Sequence, residues 1–235
     1  WQYMGKLVFS LRIIGSRLLN ELSKLLYDRN FHLGLVSRTF PEDYPLRESL
    51  DSDDKIIRFY KTDLKKSENI KSLCVELRQT FPSIDILINN AGYNPRKTSF
   101  DNYDIDEYGD VIDLNLKAPF FLSQELFRTM KEQGSGHIIN VIAAMAYLCK
   151  ENWAPYASSK AGLLAFSRVI SKECAKYGIK VSSIIPGGIN SGFRAEERPE
   201  YMSPESVARV IQQVIDAPED VVFHELVIKP LGESI

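Results

Sequence analysis

The 235-residue chain is poor in the side chains that staple small domains or build metal centres, with three cysteines and three histidines. Cys74, Cys149 and Cys174 are odd in number, far apart and without a C-x-x-C pair. That argues against a disulfide framework or a zinc cage and for a reducing, cytoplasmic setting. His32, His137 and His224 are isolated from one another, so each reads as a surface or strand histidine. No metal site is expected, and histidine-centred hydrolysis is disfavoured. An excess of one charge is missing too: 29 Lys and Arg face 31 Asp and Glu, a net of −2, which removes the electrostatic case for nucleic-acid binding. No apolar run approaches the ~18 residues that a membrane helix needs. Leu7–Leu19, behind Lys6, has the flavour of a signal peptide. Arg12 interrupts it and no small-residue cleavage site follows, so a first buried strand leading into a helix is the better reading. The chain opens on Trp1, and Met4 is its first methionine.

What is present is an ordinary globular balance, 44% hydrophobic and 26% charged, at a length that supports one well-cored domain. Short apolar runs alternate with longer helical stretches. The candidate strands are Leu7–Ile14, His32–Ser37, Ile56–Tyr60, Ile84–Ile88, His137–Ile142, Lys180–Ile185 and Glu225–Lys229. Several are apolar at nearly every position, as strands buried on both faces are. The helical candidates are Ser16–Arg29, Ser67–Thr80, Ile105–Lys131, Tyr156–Tyr177 and Pro204–Asp216. Ile70, Leu73, Cys74 and Leu77 form one apolar stripe, Ser203 with Pro204 is a helix start, and Gly178 suits a left-handed helix end. The pattern predicts an α/β, doubly wound parallel sheet of Rossmann-like form, one domain over 1–235, with no linker or repeat. Ligands bind such sheets beyond the carboxyl ends of the strands, here the loops after residues 37, 88, 142 and 185. Pro41–Lys55 and Ser191–Tyr201 are long polar loops. The second carries Phe193, Arg194, Glu196, Glu197 and Arg198, and its position suits a cover over the substrate.

The strongest chemical signal is Tyr156-Ala157-Ser158-Ser159-Lys160. A tyrosine and lysine four apart share one helix face, and the cation beside the phenol favours its deprotonated form, making it a usable acid and base. Alone, this spacing is weak. It is joined by Asp63-Leu64 after the third strand, Asn89-Asn90-Ala91-Gly92 after the fourth, Asn115 inside the long helix, and Pro186-Gly187-Gly188-Ile189-Asn190-Ser191 after the sixth.

In this order and spacing, from about Leu7 to Pro230, the chain resembles the short-chain dehydrogenase/reductase family. The resemblance implies a nicotinamide dinucleotide and hydride exchange with a small carbonyl or alcohol substrate. It implies that Tyr156 is the acid/base, that Lys160 is its partner and binds ribose, and that Asn115 holds a proton-relay water. Asp63 and Leu64 would meet the adenine, while Asn90, Ala91 and Gly92 would run along the ribose. Pro186, Gly187, Ile189 and Ser191 would flank the nicotinamide, and Gly15 is the remnant of the phosphate turn. Arg38 after the second strand, with no acid there, favours NADP over NAD. A homodimer or homotetramer is implied as well; Leu163, Leu164, Phe166 and Val169 fit an interface, though core packing explains some of them equally well.

Two positions depart from the pattern. Family members carry a serine thirteen residues ahead of the tyrosine to bond the substrate oxygen, and here that position is Ala143. Losing one such donor costs on the order of 10²–10³ in rate; Tyr147 is a nearby hydroxyl whose direction the sequence does not give. The Gly-rich phosphate turn is also depleted, because residues 1–33 hold only Gly5 and Gly15. Its glycine positions fall on Phe9 and Ile13 in one register and on Ile13, Arg17 and Leu19 in another. A loop using Ser16 and Arg17 could still hold phosphate, cofactor binding could be lost, or the natural sequence could differ at this end. Besides an NADP-dependent reductase, two alternatives therefore stand: a catalytically silent regulatory or assembly subunit, and a cofactor-independent acid/base enzyme.

Overall fold

The computed structural model describes residues 7–11, 17–40, 44, 46, 56–190 and 198–232. Seven parallel strands form one sheet in the order β3-β2-β1-β4-β5-β6-β7. They are β1 (Leu7–Leu11), β2 (His32–Ser37), β3 (Ile57–Lys61), β4 (Ile86–Asn89), β5 (Gly136–Val141), β6 (Ile179–Pro186) and β7 (Glu225–Ile228). The order reverses between β1 and β4, the place where a doubly wound sheet opens a crevice. The expected fold class is the observed one.

Neighbouring residues along the central strands β4, β5 and β6 enter opposite cores, which is why those strands are largely apolar, whereas β3 and β7 expose Arg58, Lys61, Glu225 and Val227. Leu87, Ile138 and Val181 face α2 (Ser67–Thr80) and α4 (Ala118–Gln133). Ile88, Ile139 and Ile184 face α1 (Arg17–Asp28) and α7 (Pro204–Ile215). The α2 stripe of Ile70, Leu73, Cys74 and Leu77 is buried as its spacing predicts. Each fully buried Leu or Ile contributes roughly 1.5–3 kcal/mol, so the two faces, not the loops, hold the sheet. Ser203 caps α7 by accepting the Ser206 N–H, with Pro204 opening the helix, and Gly178 takes a left-handed φ of 69°.

Boundaries shift in instructive places. The long helix expected over Ile105–Lys131 is two helices, α3 (Ile105–Ile112) and α4, joined by a π turn at Asp113–Lys117. A short helix α5 (Met145–Leu148) precedes α6 (Ala154–Ala175), which begins before Tyr156. Leu163 and Leu164, expected at an interface or in the core, are buried against Ile142 and Ile185. Their spacing fits a core stripe as well as an interface, and of the two the core takes them. Val169 is 56% exposed and Phe166 is half-buried. His137 sits inside the sheet with Nε2 2.8 Å from Ser182 Oγ, and burial pushes its pKa down to about 3. It is a neutral packing residue. Among the described residues no cluster of metal-binding side chains occurs, and no helix is long and apolar enough to cross a membrane.

Candidate active site

The strand register brings the carboxyl ends of β4, β5 and β6 level, pairing Asn89 with Asn140 and Val141 with Ile184. Asn89 Nδ2 donates to Asn140 Oδ1 at 2.7 Å and to Ser123 Oγ on α4 at 3.2 Å. Asn140 Nδ2 in turn donates to Ser167 Oγ on α6 at 2.8 Å. All four side chains are buried. Such a network is strong in a low-dielectric interior and fixes where the helices sit on the sheet.

Helix α6 starts at Ala154, just after Trp153, with the Ala154 N–H donated to the Tyr103 hydroxyl at 3.1 Å. Tyr156 lies in its first turn, half-buried, with its ring centroid 5.8 Å from that of Trp153. One turn on, Lys160 Nζ lies 5.9 Å from the Tyr156 ring centroid and donates to the Val141 carbonyl at 2.9 Å. The lysine is only 4% exposed, and burial pushes its pKa down to about 8. An ammonium held there with one backbone bond keeps donors to spare for a ligand's hydroxyls.

Asn115 is fully buried in the π turn, where the Ala118 N–H reaches back to the Asp113 carbonyl. Its Oδ1 accepts the Tyr93 N–H at 2.5 Å, and its Nδ2 donates to the Tyr93 carbonyl at 2.9 Å and to Ser159 Oγ at 3.1 Å. Ser159 Oγ donates to the Tyr156 carbonyl at 2.8 Å. The amide is thus occupied in pinning the loop after β4 to the start of α6. A Cβ on Gly92 would come 3.2 Å from Asn115 Oδ1, close enough that the amide would have to shift slightly, and 3.6 Å from Lys160 Nζ, an ordinary contact.

Gly92, Tyr156 and Lys160 border a cleft of about 300 Å³ at the carboxyl edge, whereas Asn115 is not among its lining residues. Asn90, Gly92, Tyr156, Lys160, Pro186, Gly187 and Ile189 all line it, as does Ala143. Other expected residues lie away from it. Leu64 packs in the core; Asp63 accepts the Lys65 N–H with Oδ1; Arg38 is exposed at the end of β2; Ala91 is buried beside the cleft wall. Tyr147 is not a substitute for the missing serine. It is exposed and its hydroxyl donates to Glu225 Oε2 at 2.7 Å, away from the cleft. Gly15, Ser16, Ile13, Ser191 and the charged stretch from Phe193 to Glu197 lie outside the described residues.

The family profile described as short chain dehydrogenase matches residues 17–202. The chain belongs to the short-chain dehydrogenase family. An uncharacterized oxidoreductase of Staphylococcus aureus is 27% identical over 220 residues, 92% of this chain and 94% of that protein. Among solved structures, the alcohol dehydrogenase of the archaeon Thermococcus sibiricus, complexed with 5-hydroxy-NADP, superposes with a TM-score of 0.87 at 16% identity over 98% of each chain. A metagenomic short-chain oxidoreductase in complex with NADP gives 0.86 at 18% identity, over 99% of this chain and 100% of that one. At such identities the likeness is one of fold.

Sequence reading missed part of this short-chain dehydrogenase's cleft. Asn94, Lys97, Lys150 and Trp153 line it, and Arg198 and Tyr201, noted only as parts of a loop, line it too. Trp153 stands one helical turn before Tyr156, a spacing that could have drawn notice. The two lysines sit in unrelated loops, and only the fold brings them to one opening.

Proposed function

We propose that this short-chain dehydrogenase exchanges a hydride between NADP(H) and a carbonyl or alcohol substrate, with Tyr156 as acid/base and Lys160 as its charged partner. The observation that carries the reading is the buried Lys160 ammonium, one helical turn from Tyr156 and anchored on the Val141 carbonyl. The described residues fit a dinucleotide's ribose and nicotinamide. Asn90 Nδ2 is buried in the wall of the cleft without a hydrogen-bond partner among the described residues, and Lys160 has unused donors. Asn90, Ala91 and Gly92, Pro186, Gly187 and Ile189, and the Tyr156–Lys160 pair would hold that end, with Asp63 and Leu64 near the adenine. When bound, the cofactor supplies or takes up the hydride.

The chain's own residues handle the proton. In reduction the Tyr156 hydroxyl donates to the carbonyl oxygen, and the ammonium of Lys160 steadies the negative charge left on the phenol oxygen. Asn115 fixes the distance between the loop after β4 and Tyr156, and a relay water would be held by the backbone around it rather than by its occupied amide. Arg38, exposed beyond β2, supports NADP over NAD, since a guanidinium suits a 2′-phosphate. The neighbours solved with NADP or its derivative support the same choice.

Ala143 favours a second reading, a silent subunit, because a methyl group stands in the cleft where a donor would bond the substrate oxygen. Titrating NADPH while following energy transfer from tryptophan separates the two: saturable binding with carbonyl-dependent NADPH oxidation supports the enzyme, and no binding at millimolar cofactor refutes it. For assembly, Val169 with Phe120, both exposed, would carry any contact through α4 and α6.

A further inference from the structure

Three cations guard the opening of the cleft, and two of them rest on aromatic rings. Lys97 Nζ lies 5.1 Å from the Trp153 ring centroid, and that ring neighbours Tyr156. The Arg198 guanidinium lies 5.5 Å from the Tyr201 ring centroid, with Nη1 3.4 Å from the Tyr201 hydroxyl. Tyr201 is fixed in turn: a Cβ on Gly188 would fall 2.6 Å from its ring, so the absent side chain is what seats it. The adjoining Met202 N–H donates to the Gly188 carbonyl at 3.0 Å and its carbonyl accepts from Asn190 at 2.9 Å. Lys150, just past α5, completes the rim.

Among the described lining residues there is no carboxylate to neutralise these charges. Neither Lys97 nor Lys150 has an ion-pair partner among the described residues. Glu107, on α3 beside the loop that carries Lys97, is engaged by the Tyr93 hydroxyl at 2.8 Å and is not part of the lining. Like charges gathered around a concave, low-dielectric wall focus a positive potential and raise the local concentration of anions. Stacking on rings limits the side-chain freedom that capture would otherwise cost. The cofactor's phosphates do not account for this rim. In a doubly wound fold the pyrophosphate lies at the turn after β1 and the 2′-phosphate near the end of β2, whereas Lys97, Lys150 and Arg198 lie on the loops after β4, β5 and β6.

We propose that the substrate is an anion, a carbonyl or alcohol compound bearing a carboxylate or phosphate group that Lys97, Lys150 and Arg198 receive while its reacting carbon faces Tyr156. The proposal names the substrate class for the function proposed above and rests on that reading for the chemistry. Arg198 offers the planar donor pair that suits either anionic group, and the two lysines add point charges.

The test begins with binding. The chain has two tryptophans, so Trp1→Phe leaves Trp153, in the cleft, as the reporter. Its fluorescence is titrated, with and without NADP, against two matched pairs: acetoacetate and ethyl acetoacetate, dihydroxyacetone phosphate and dihydroxyacetone. A saturable change with at least one anion, absent with its neutral partner at the same concentration, is expected. The triple variant Lys97→Gln, Lys150→Gln, Arg198→Gln should raise the half-saturating concentration at least tenfold, and salt should weaken binding in the parent. Whichever anion binds more tightly identifies carboxylate or phosphate. Equal responses to charged and neutral partners, no saturation by either anion, or an unshifted titration in the triple variant overturns the proposal. NADPH oxidation is then measured with the same compounds. Anion binding without reduction of any carbonyl would refute the reductase and leave the anion site standing; reduction with better kcat/KM for neutral partners would do the reverse.

Discussion

The floor and the rim of the cleft are built on opposite principles. The floor is Lys160, supported from outside the lining by Asn115, Asn89 and Asn140, all four buried and tied to backbone or to side chains at hydrogen-bond distance. The rim consists of Lys97, Lys150 and Arg198, which face solvent wholly or in part and rest on aromatic rings or on nothing described. A buried polar group left unsatisfied costs about 1–3 kcal/mol, while an exposed ion pair is worth about 0–1 kcal/mol and is screened by salt. The floor therefore dictates one geometry and the rim supplies a field. Chemistry should be sensitive to the floor and substrate choice to the rim.

Replacing Tyr156 by Phe is the hardest blow to that division. It removes the proton donor and should lower kcat by about 10²–10⁴-fold for charged and neutral substrates alike, with an unchanged melting temperature. Ala143→Ser works in the opposite direction, adding the donor that the cleft wall lacks. Turnover should rise at least ~10-fold, part of the 10²–10³ that such a donor is worth; no gain would mean that the substrate oxygen does not lie there. Asn115→Ala should destabilise the fold by about 1–3 kcal/mol, because it strands the Tyr93 backbone groups, and should reduce kcat without changing the preference between charged and neutral partners.

The pH profile tests the floor through Lys160. Burial lowers its pKa to about 8, so the ammonium is present below that value and is lost above it. Reduction should fall as pH rises through about 8, and Lys160→Arg, which keeps its charge, should remove that limb at a lower overall rate. The smallest effects belong to single rim changes. Lys97→Gln or Lys150→Gln should raise KM for an anionic substrate by about two- to fivefold and disappear in high salt, as exposed charges do. A rim change that altered kcat equally for neutral substrates would dissolve the distinction between the two regions.

Most of the fold was legible because strands buried on both faces leave an unmistakable apolar run, and β2 and α2 end where the residues say they should. The π turn was not, since the reason for it is tertiary: Asn115 bonds the backbone of Tyr93 in the loop after β4, a partner that no helical periodicity announces. The Tyr156–Lys160 pair, Asn90–Gly92 and Pro186–Ile189 were readable as contiguous or regularly spaced sets. Lys97, Lys150 and Arg198 were not, because each stands in a polar loop where a charge looks like ordinary solvation. Leu163 and Leu164 illustrate another limit, since an apolar stripe on a helix does not say whether sheet or partner will cover it.

The Asp113–Lys117 turn has a consequence for how this chain tolerates changes of length. A π turn carries one residue more than the α-helical path between the same two ends, with bonding from i to i+5 in place of i+4. Loss of a single codon there would let α3 and α4 close into one regular helix, with Leu122, Leu126 and Met130 still on the sheet. The protein would fold, yet Asn115 would no longer point at Tyr93. At this one place the extra residue serves aim rather than architecture, so a deletion that the fold would absorb is one that the site would not.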